Sequence, residues 1–452
     1  MAKQKAQAVD MLHGPLLKNI WVFAVPLMLT NFVQMLFNAA DSVIVGRYAG
    51  QQALAAVGAT GSLCFLLISV FNGLSMGSSV LVARYLGAKD ERNVSRAVHT
   101  AITMAGISGL FLTVLGFFLS RPMLELMSTP HDIIDLSELY MRLYFVGTFF
   151  GLIYNFGAAI LRAKGDTKRP LYFLAISGAT NVVLNMVFVI FFKWSVAGVA
   201  IATVISQALA TVMVCTTLHR QQDATHLDFH RLGIDFSMAW NIVKIGIPAG
   251  LQGVVFSLSN VVIQSSINSF GSSAIVAGNS AAANIESFVY IGLDAFSQAC
   301  MTFTSQNIGA GQLYRVREIM KLTMILTIAS ALLIGFTVWV LGDTVLGFYT
   351  TEQSVVDVGI IRLTFVCLPL FLNGVLDIFV CSMRGMGYSL LPTIAQIAGI
   401  CGVRLLWIFF VFPMFRSLEV IYLCYPISWT VTSIIQGIFW IRCHKHLLET
   451  AA

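Results

Sequence analysis

Twelve stretches, each with about 20 or more predominantly apolar residues, follow one another along the chain, and nothing constrains its fold more. They span approximately 18–45, 53–81, 97–119, 138–161, 170–192, 196–218, 239–268, 274–304, 319–341, 357–382, 391–412 and 418–441. In hydrocarbon no water satisfies a backbone N–H or C=O, so a spanning segment must bond within itself, and these lengths match helices that cross a bilayer. The pattern predicts an all-α integral membrane protein with twelve transmembrane helices.

Composition excludes the competing classes. Hydrophobic residues make up 57% of the 452 and charged residues only 11%, against roughly 25% charged in a soluble domain. A soluble enzyme, a disordered chain and a fibrous protein are all ruled out by that balance. The first apolar stretch runs far beyond the roughly 7–15-residue core of a secretory leader, which predicts a retained amino terminus. Six of the eight cysteines lie inside apolar runs, with Cys215 and Cys443 alone at helix ends and no CxxC pair. Neither a disulfide framework nor a metal site is expected.

The bases lie on one side. Counting loops alternately, twenty Lys and Arg fall on the side of the two termini, from Lys3 and Lys5 to Arg442 and Lys445, while the opposite loops hold only Arg47, Arg121, Lys193 and Arg416. Short cytoplasmic loops carry the positive excess, so both termini are expected in the cytoplasm. The net charge of +6 is then a matter of topology, and no nucleic-acid partner is expected.

The sequence also repeats itself. A shift of 222 residues superposes Asn19-Ile20 on Asn241-Ile242, Pro26 on Pro248, Asn38 on Asn260, Gly87-Ala88 on Gly309-Ala310, Arg162 on Arg384, Gly165 on Gly387 and Pro170 on Pro392. One offset held from the first span to the fifth, across loops, indicates duplication. Each half holds an even number of spans, which predicts two six-helix lobes related by a pseudo-two-fold axis along the membrane normal. The expected division is an amino-terminal lobe at 1–218, a cytoplasmic linker at 219–238 and a carboxyl-terminal lobe at 239–452. Such a design suits a secondary transporter that alternates access about a midline site. No GxxxxGK loop followed by Ser or Thr and no HExxH occurs, so neither an ATP motor nor a catalytic constellation is expected.

Polar groups within the spans are the candidates for function, because they are costly in lipid and must face an interior or wet cavity. In the first span Asn31, Gln34, Asn38 and Asp41 recur at i, i+3, i+7 and i+10, on one helix face. Asn181 and Asn185 share a face of the fifth span, and Asn155 in the fourth stands where it could join them. A carboxyl among carboxamides can hold a proton or Na⁺; the alternative is a hydrogen-bonded seam between helices. Glu286, Tyr290, Asp294 and Gln298 repeat every four residues down the eighth span, either for cation binding or as a core polar network. Asp377 and Arg404 lie at depths an arginine arm bridges, which favours a structural ion pair. Pro26 and Pro248 fall inside equivalent spans and predict kinks, static or hinged.

The run FNAADSVIVGRYAG at 37–50, the ALAAVG that follows, the RYLGAKD loop and the LRAKGDTKRP loop resemble the multidrug and toxic compound extrusion family over nearly the whole chain. The resemblance implies an antiporter that exports cationic or amphiphilic compounds as H⁺ or Na⁺ enters, with no cofactor. It implies Asp41 as the coupling acid, with Gln34, Asn155 and Asn181 as its polar neighbours. Asn185 stands where many members have Asp, Phe256 where one branch has Glu, and Asn373 where that branch has an acid, with Asp377 a turn later. These departures point to the DNA-damage-inducible-type branch. A lipid-linked oligosaccharide flippase is the alternative, but its cavity should carry several bases, and here the only Lys within the spans, Lys244 and Lys321, lie near their ends and only Arg404 is deep. A bacterial inner membrane, a single-chain monomer and lipid as the surrounding partner complete the expectation.

Overall fold

A computed structural model describes residues 8–127 and 129–451; Lys3 and Lys5 of the charge count lie outside them. The described residues form helices joined by loops, without strands. Twelve long helices follow in order: α1 Leu16–Ala49, α2 Gln51–Gly87, α3 Glu91–Leu126, α4 Ile134–Ala163, α5 Lys168–Phe191, α6 Ser195–His219, α7 Phe236–Asn268, α8 Ser273–Gly309, α9 Leu313–Val340, α10 Gln353–Met386, α11 Leu390–Val411 and α12 Leu418–Ala451. Eleven of them are apolar enough to span a bilayer on composition alone. The exception is α8, whose 37 residues include Asn279, Asn284, Glu286, Asp294 and Gln298, so its length crosses while its composition reads as interior. Phe118, Leu333, Phe409 and Phe410 are exposed on the outer faces, where lipid tails satisfy apolar surface that water would not.

The duplication holds at the level of helix boundaries. Three helices of the second half, α8, α9 and α11, begin 222 residues after α2, α3 and α5. The turns that end α4 and α10 repeat as well, with Gly165 at φ 95° and Gly387 at φ 99°. Only glycine takes that left-handed conformation without a Cβ penalty.

Packing divides the chain into two compact units, one of Leu29–Gly250 with the segment ending at Asp10, the other of Met11–Met28 with Leu251–Ala452. Both α1 and α7 change unit along their length, within three residues of Pro26 and of Pro248 respectively. Each proline lies inside a continuous helix.

The first unit is centred on Val98, Phe156, Ile160, Val214 and Leu218. The 219–238 segment folds onto it. Leu227 enters this core, Arg96 and Lys164 form ion pairs with Asp235 and Asp223, and the Asp228 amide donates to His99 Nε2 at 3.1 Å. Within the same unit α2 and α7 touch backbone to backbone: a Cβ on Gly73 would meet Gly250 N at 2.5 Å, and one on Gly246 would meet Leu74 Cα at 2.6 Å. Gly73 with Gly77 and Gly246 with Gly250 are both small residues four apart, the spacing that lets membrane helices approach closely. Against the expectation that no catalytic elbow occurs, the run Gly73-Leu74-Ser75-Met76-Gly77 has the GxSxG spacing of hydrolases. It sits inside continuous α2 and the Ser75 hydroxyl donates to Asn72 O at 2.8 Å, so its glycines serve packing.

The second unit is centred on Leu293, Leu376, Val380, Ile400 and Tyr422. Its amino-terminal segment is fastened by rings and by backbone. Trp21 meets Phe296 edge-on at 5.3 Å and Phe23 meets Phe303 at 5.5 Å. Asn307 Nδ2 donates to Met11 O at 3.0 Å, and Arg315 Nη2 to Gly14 O at 3.1 Å.

Candidate functional site

In the first unit five helices enclose a cavity of about 330 Å³ whose lining includes Gln34, Asn38 and Asp41 of α1, Asn72 of α2, Tyr140, Tyr144 and Asn155 of α4, Asn181 of α5 and Thr203 and Ser206 of α6. Three of the four residues of the α1 stripe, Gln34, Asn38 and Asp41, thus face a cavity, while Asn31 is not among its lining residues. The stripe is seated by Gly178 of α5: any Cβ there would overlap the Phe37 ring, so α1 and α5 approach only because position 178 has none.

Asp41 is the only acid among the residues lining this cavity. The Asn185 Nδ2 donates to its Oδ1 at 2.6 Å, the short distance of a charge-assisted bond. Asn181 lies against the same carboxyl. With its carboxamide nitrogen turned toward Asp41 it donates to Oδ1 at 2.7 Å and Oδ2 at 3.2 Å, while its oxygen accepts from Thr203 N at 3.3 Å. With the amide turned the other way, its nitrogen reaches Thr203 Oγ1 at 3.3 Å and Ser206 Oγ at 3.5 Å, and its oxygen accepts from Asn185 at 3.1 Å. Asn181 and Asn185 are both buried, whereas Asp41 keeps partial exposure.

Of the residues expected around Asp41, Gln34 and Asn38 line the cavity on the α1 face and Asn181 and Asn185 bond to the carboxyl. Asn155 lines the cavity but donates to Asn72 Oδ1 at 3.2 Å. The sequence reading missed Asn72, Tyr140, Tyr144, Thr203 and Ser206. Of these, Thr203 and Ser206 stand at i, i+3 and Tyr140 and Tyr144 at i, i+4, weak signals that were present.

The second unit holds a cavity of about 380 Å³, lined in part by Glu286, Tyr290, Arg362, Asn373, Arg404 and Trp429. Glu286 accepts two bonds of 2.8 Å from Arg362 Nε and Nη2, and the remaining guanidinium nitrogen donates to Asn279 Oδ1 at 2.6 Å. Arg362 is only 7% exposed, so Arg404 is not the one deep arginine of the spans. Asp294 accepts from Gln298 Nε2 at 2.7 Å.

The ion pair expected between Asp377 and Arg404 is absent among the described residues. Asp377 accepts from Tyr290 Oη at 3.2 Å, Gln396 Nε2 at 3.3 Å and Asn373 Nδ2 at 3.4 Å. Gln396 already meets Asp377 from α11, and Arg404 follows it by eight residues, about two turns farther along. Its guanidinium instead donates to Ser428 Oγ at 3.2 Å and Asn260 Oδ1 at 3.4 Å and lies 4.2 Å from the Tyr425 ring centroid.

The comparisons with known proteins agree with this architecture. The family model described as MatE matches twice, over residues 26–187 and 248–410, the two matches starting 222 residues apart. The chain is 29% identical over 424 residues to the probable multidrug resistance protein YoeA of Bacillus subtilis, covering 92% of this chain and 91% of that one. It is 30% identical to the probable multidrug resistance protein YpnP of the same organism, over 78% of this chain and 79% of that one. Among solved structures, an outward-facing multidrug resistance MATE family transporter of the MOP superfamily superposes with a TM-score of 0.90 at 20% identity, over 98% of this chain and 99% of that one. Duplicated six-helix halves, a polar cavity built on the first helix and a family match over both halves lead to one assignment: the chain belongs to the MatE family of multi-pass membrane transporters.

Proposed function

We propose that this chain is a secondary antiporter of the cell inner membrane, working as a monomer with both termini in the cytoplasm. It exports organic cations and amphiphilic toxic compounds in exchange for H⁺ or Na⁺. The observation that carries the reading is Asp41: a single carboxyl in a polar cavity, held by Asn185 and Asn181. The relatives named as multidrug resistance proteins support the substrate class.

The two orientations of Asn181 give the carboxyl two sets of partners. As an anion Asp41 only accepts, and both carboxamides present N–H to it. Protonated, it donates to the Asn181 oxygen at the same position, and the Asn181 nitrogen turns to Thr203 Oγ1 and Ser206 Oγ. A bound Na⁺ would take the same two oxygens, carboxylate and carbonyl, as hard ligands. Either occupancy changes what α1 and α5 offer each other across Asp41. An ion drives transport only if its affinity differs between conformations. Here the difference comes from bonds that Asp41, Asn181 and Asn185 must exchange.

The test is ethidium efflux from proteoliposomes under an imposed pH gradient or an imposed Na⁺ gradient. Efflux driven by one gradient and not the other supports the antiport reading and names the ion. No efflux under either from folded protein would contradict it.

A further inference from the structure

The 222-residue repeat sets the two cavities side by side in sequence terms, and their polarity is opposite. Gln34, Asn38, Asp41, Tyr140, Thr203 and Gln207 line the first; their counterparts Phe256, Asn260, Ile263, Arg362, Tyr425 and Trp429 line the second. Where the first has its acid the second has isoleucine, and where the first has a tyrosine the second has an arginine. The second cavity also gains Arg404, which has no charged counterpart at the equivalent Val182.

Charge counting makes the difference physical. The ionisable acid and bases lining the second cavity are Glu286, Arg362 and Arg404. Glu286 is taken up by the bidentate pair with Arg362. No carboxylate among the described residues lies within 4.0 Å of Arg404, which is 6% exposed. Its neighbours are a hydroxyl, an amide oxygen and two rings, Tyr425 at 4.2 Å and Trp429 at 5.9 Å. A buried guanidinium is expensive unless an anion accompanies it. Its planar fork suits a carboxylate, and the rings beside it suit a flat apolar body.

We propose that this second cavity is a binding site for an aromatic organic anion, its carboxylate paired with Arg404 and its ring lying against Tyr425 and Trp429. The site goes beyond the cation-export reading, and it stands on residues that reading does not use. It gives the transporter two cavities of opposite sign on one repeated frame.

The probes are 2-naphthoate and its neutral counterpart 2-naphthalenemethanol, titrated against the purified full chain and read by intrinsic tryptophan fluorescence. The alcohol partitions better into detergent, so non-specific uptake works against the expected result. The full chain should bind naphthoate at least tenfold more tightly than the alcohol, the scale of a bond to a charged group. In Arg404→Gln that ratio should fall to about one, and in Arg404→Lys, which keeps the charge and loses the fork, it should fall only part of the way. A ratio at or below one in the unmodified chain would overturn the proposal without any variant. So would an unchanged ratio in Arg404→Gln that melts like the parent.

Discussion

At Asp41 the account rests on single hydrogen bonds, and each can be removed. The Asn185 Nδ2 bond to Asp41 at 2.6 Å is the shortest made to that carboxyl. Hydrogen bonds to charged groups are worth roughly 1.5–3 kcal/mol. Asn185→Ala should therefore weaken gradient-driven efflux by about tenfold or more, measured as initial rate in proteoliposomes. In the second unit Glu286 and Arg362 are a buried pair with side chains 9% to 12% exposed. Glu286→Gln leaves an uncompensated guanidinium and should cost about 3–5 kcal/mol, read as a lowered melting temperature in detergent. Glu286→Leu combined with Arg362→Met should recover most of that loss. The polar stripe of α1 was legible because four residues share one helical face in an apolar setting. Asn72 was not, since a lone polar residue in an apolar run carries no periodicity, while Tyr140 and Tyr144, one turn apart on α4, read equally as packing. The partner of Glu286, 76 residues away, was closed to spacing arguments altogether, and the pair drawn between Asp377 and Arg404 failed because depth alone ignores which turn of α11 faces α10.

For the helices the decisive feature is how closely backbones approach. Gly246 lies with Leu74 Cα 2.6 Å from where its Cβ would stand, while Gly106 has nothing within 4 Å. Alanine favours a helix over glycine by up to about 1 kcal/mol. Gly106→Ala should thus be neutral or stabilising, whereas Gly246→Ala should destabilise, since α2 and α7 must part. Thermal melts of the two variants check the opposite signs. The 219–238 segment is a second element-scale case. Asp235 is held below the usual carboxylate range by the Met238 amide and by Arg96, and Asp228 by the His230 amide. A carboxyl depressed in the folded state stabilises above its unfolded value, about 3.9, and that contribution goes as pH falls through the folded value. Amide protection factors in this segment, measured against the intrinsic exchange rate at each pH, should stay high from pH 7 down and fall only below about pH 4. Spans and their number were legible from apolar length. That α1 and α7 each contribute to both units was not, because apolar periodicity says where a helix runs and nothing of what its two ends pack against.

The whole molecule is one six-helix plan used twice, with three helix starts and the turn at Gly165 and Gly387 kept at a constant offset and the cavity lining changed. The frame was read from sequence because duplication leaves an offset that loops do not blur. The division of labour was not: acids alone left the second half open between cation binding and a core polar network, while the structure commits Glu286 to Arg362 and leaves Arg404 without an acid within 4.0 Å among the described residues. Substrate export with Asp41 as the coupling group makes one demand on the whole cycle, that gradient and transport be separable. Asp41→Asn keeps the shape and one acceptor oxygen for Asn185 and removes the charge and the group that gains and loses the ion. The direct measurement compares this variant with the unmodified chain in the same proteoliposomes, for ethidium efflux under an imposed ion gradient and for ethidium exchange with no gradient. The account predicts that driven efflux is abolished while exchange persists. Full gradient-driven efflux in Asp41→Asn at equal protein content would contradict it.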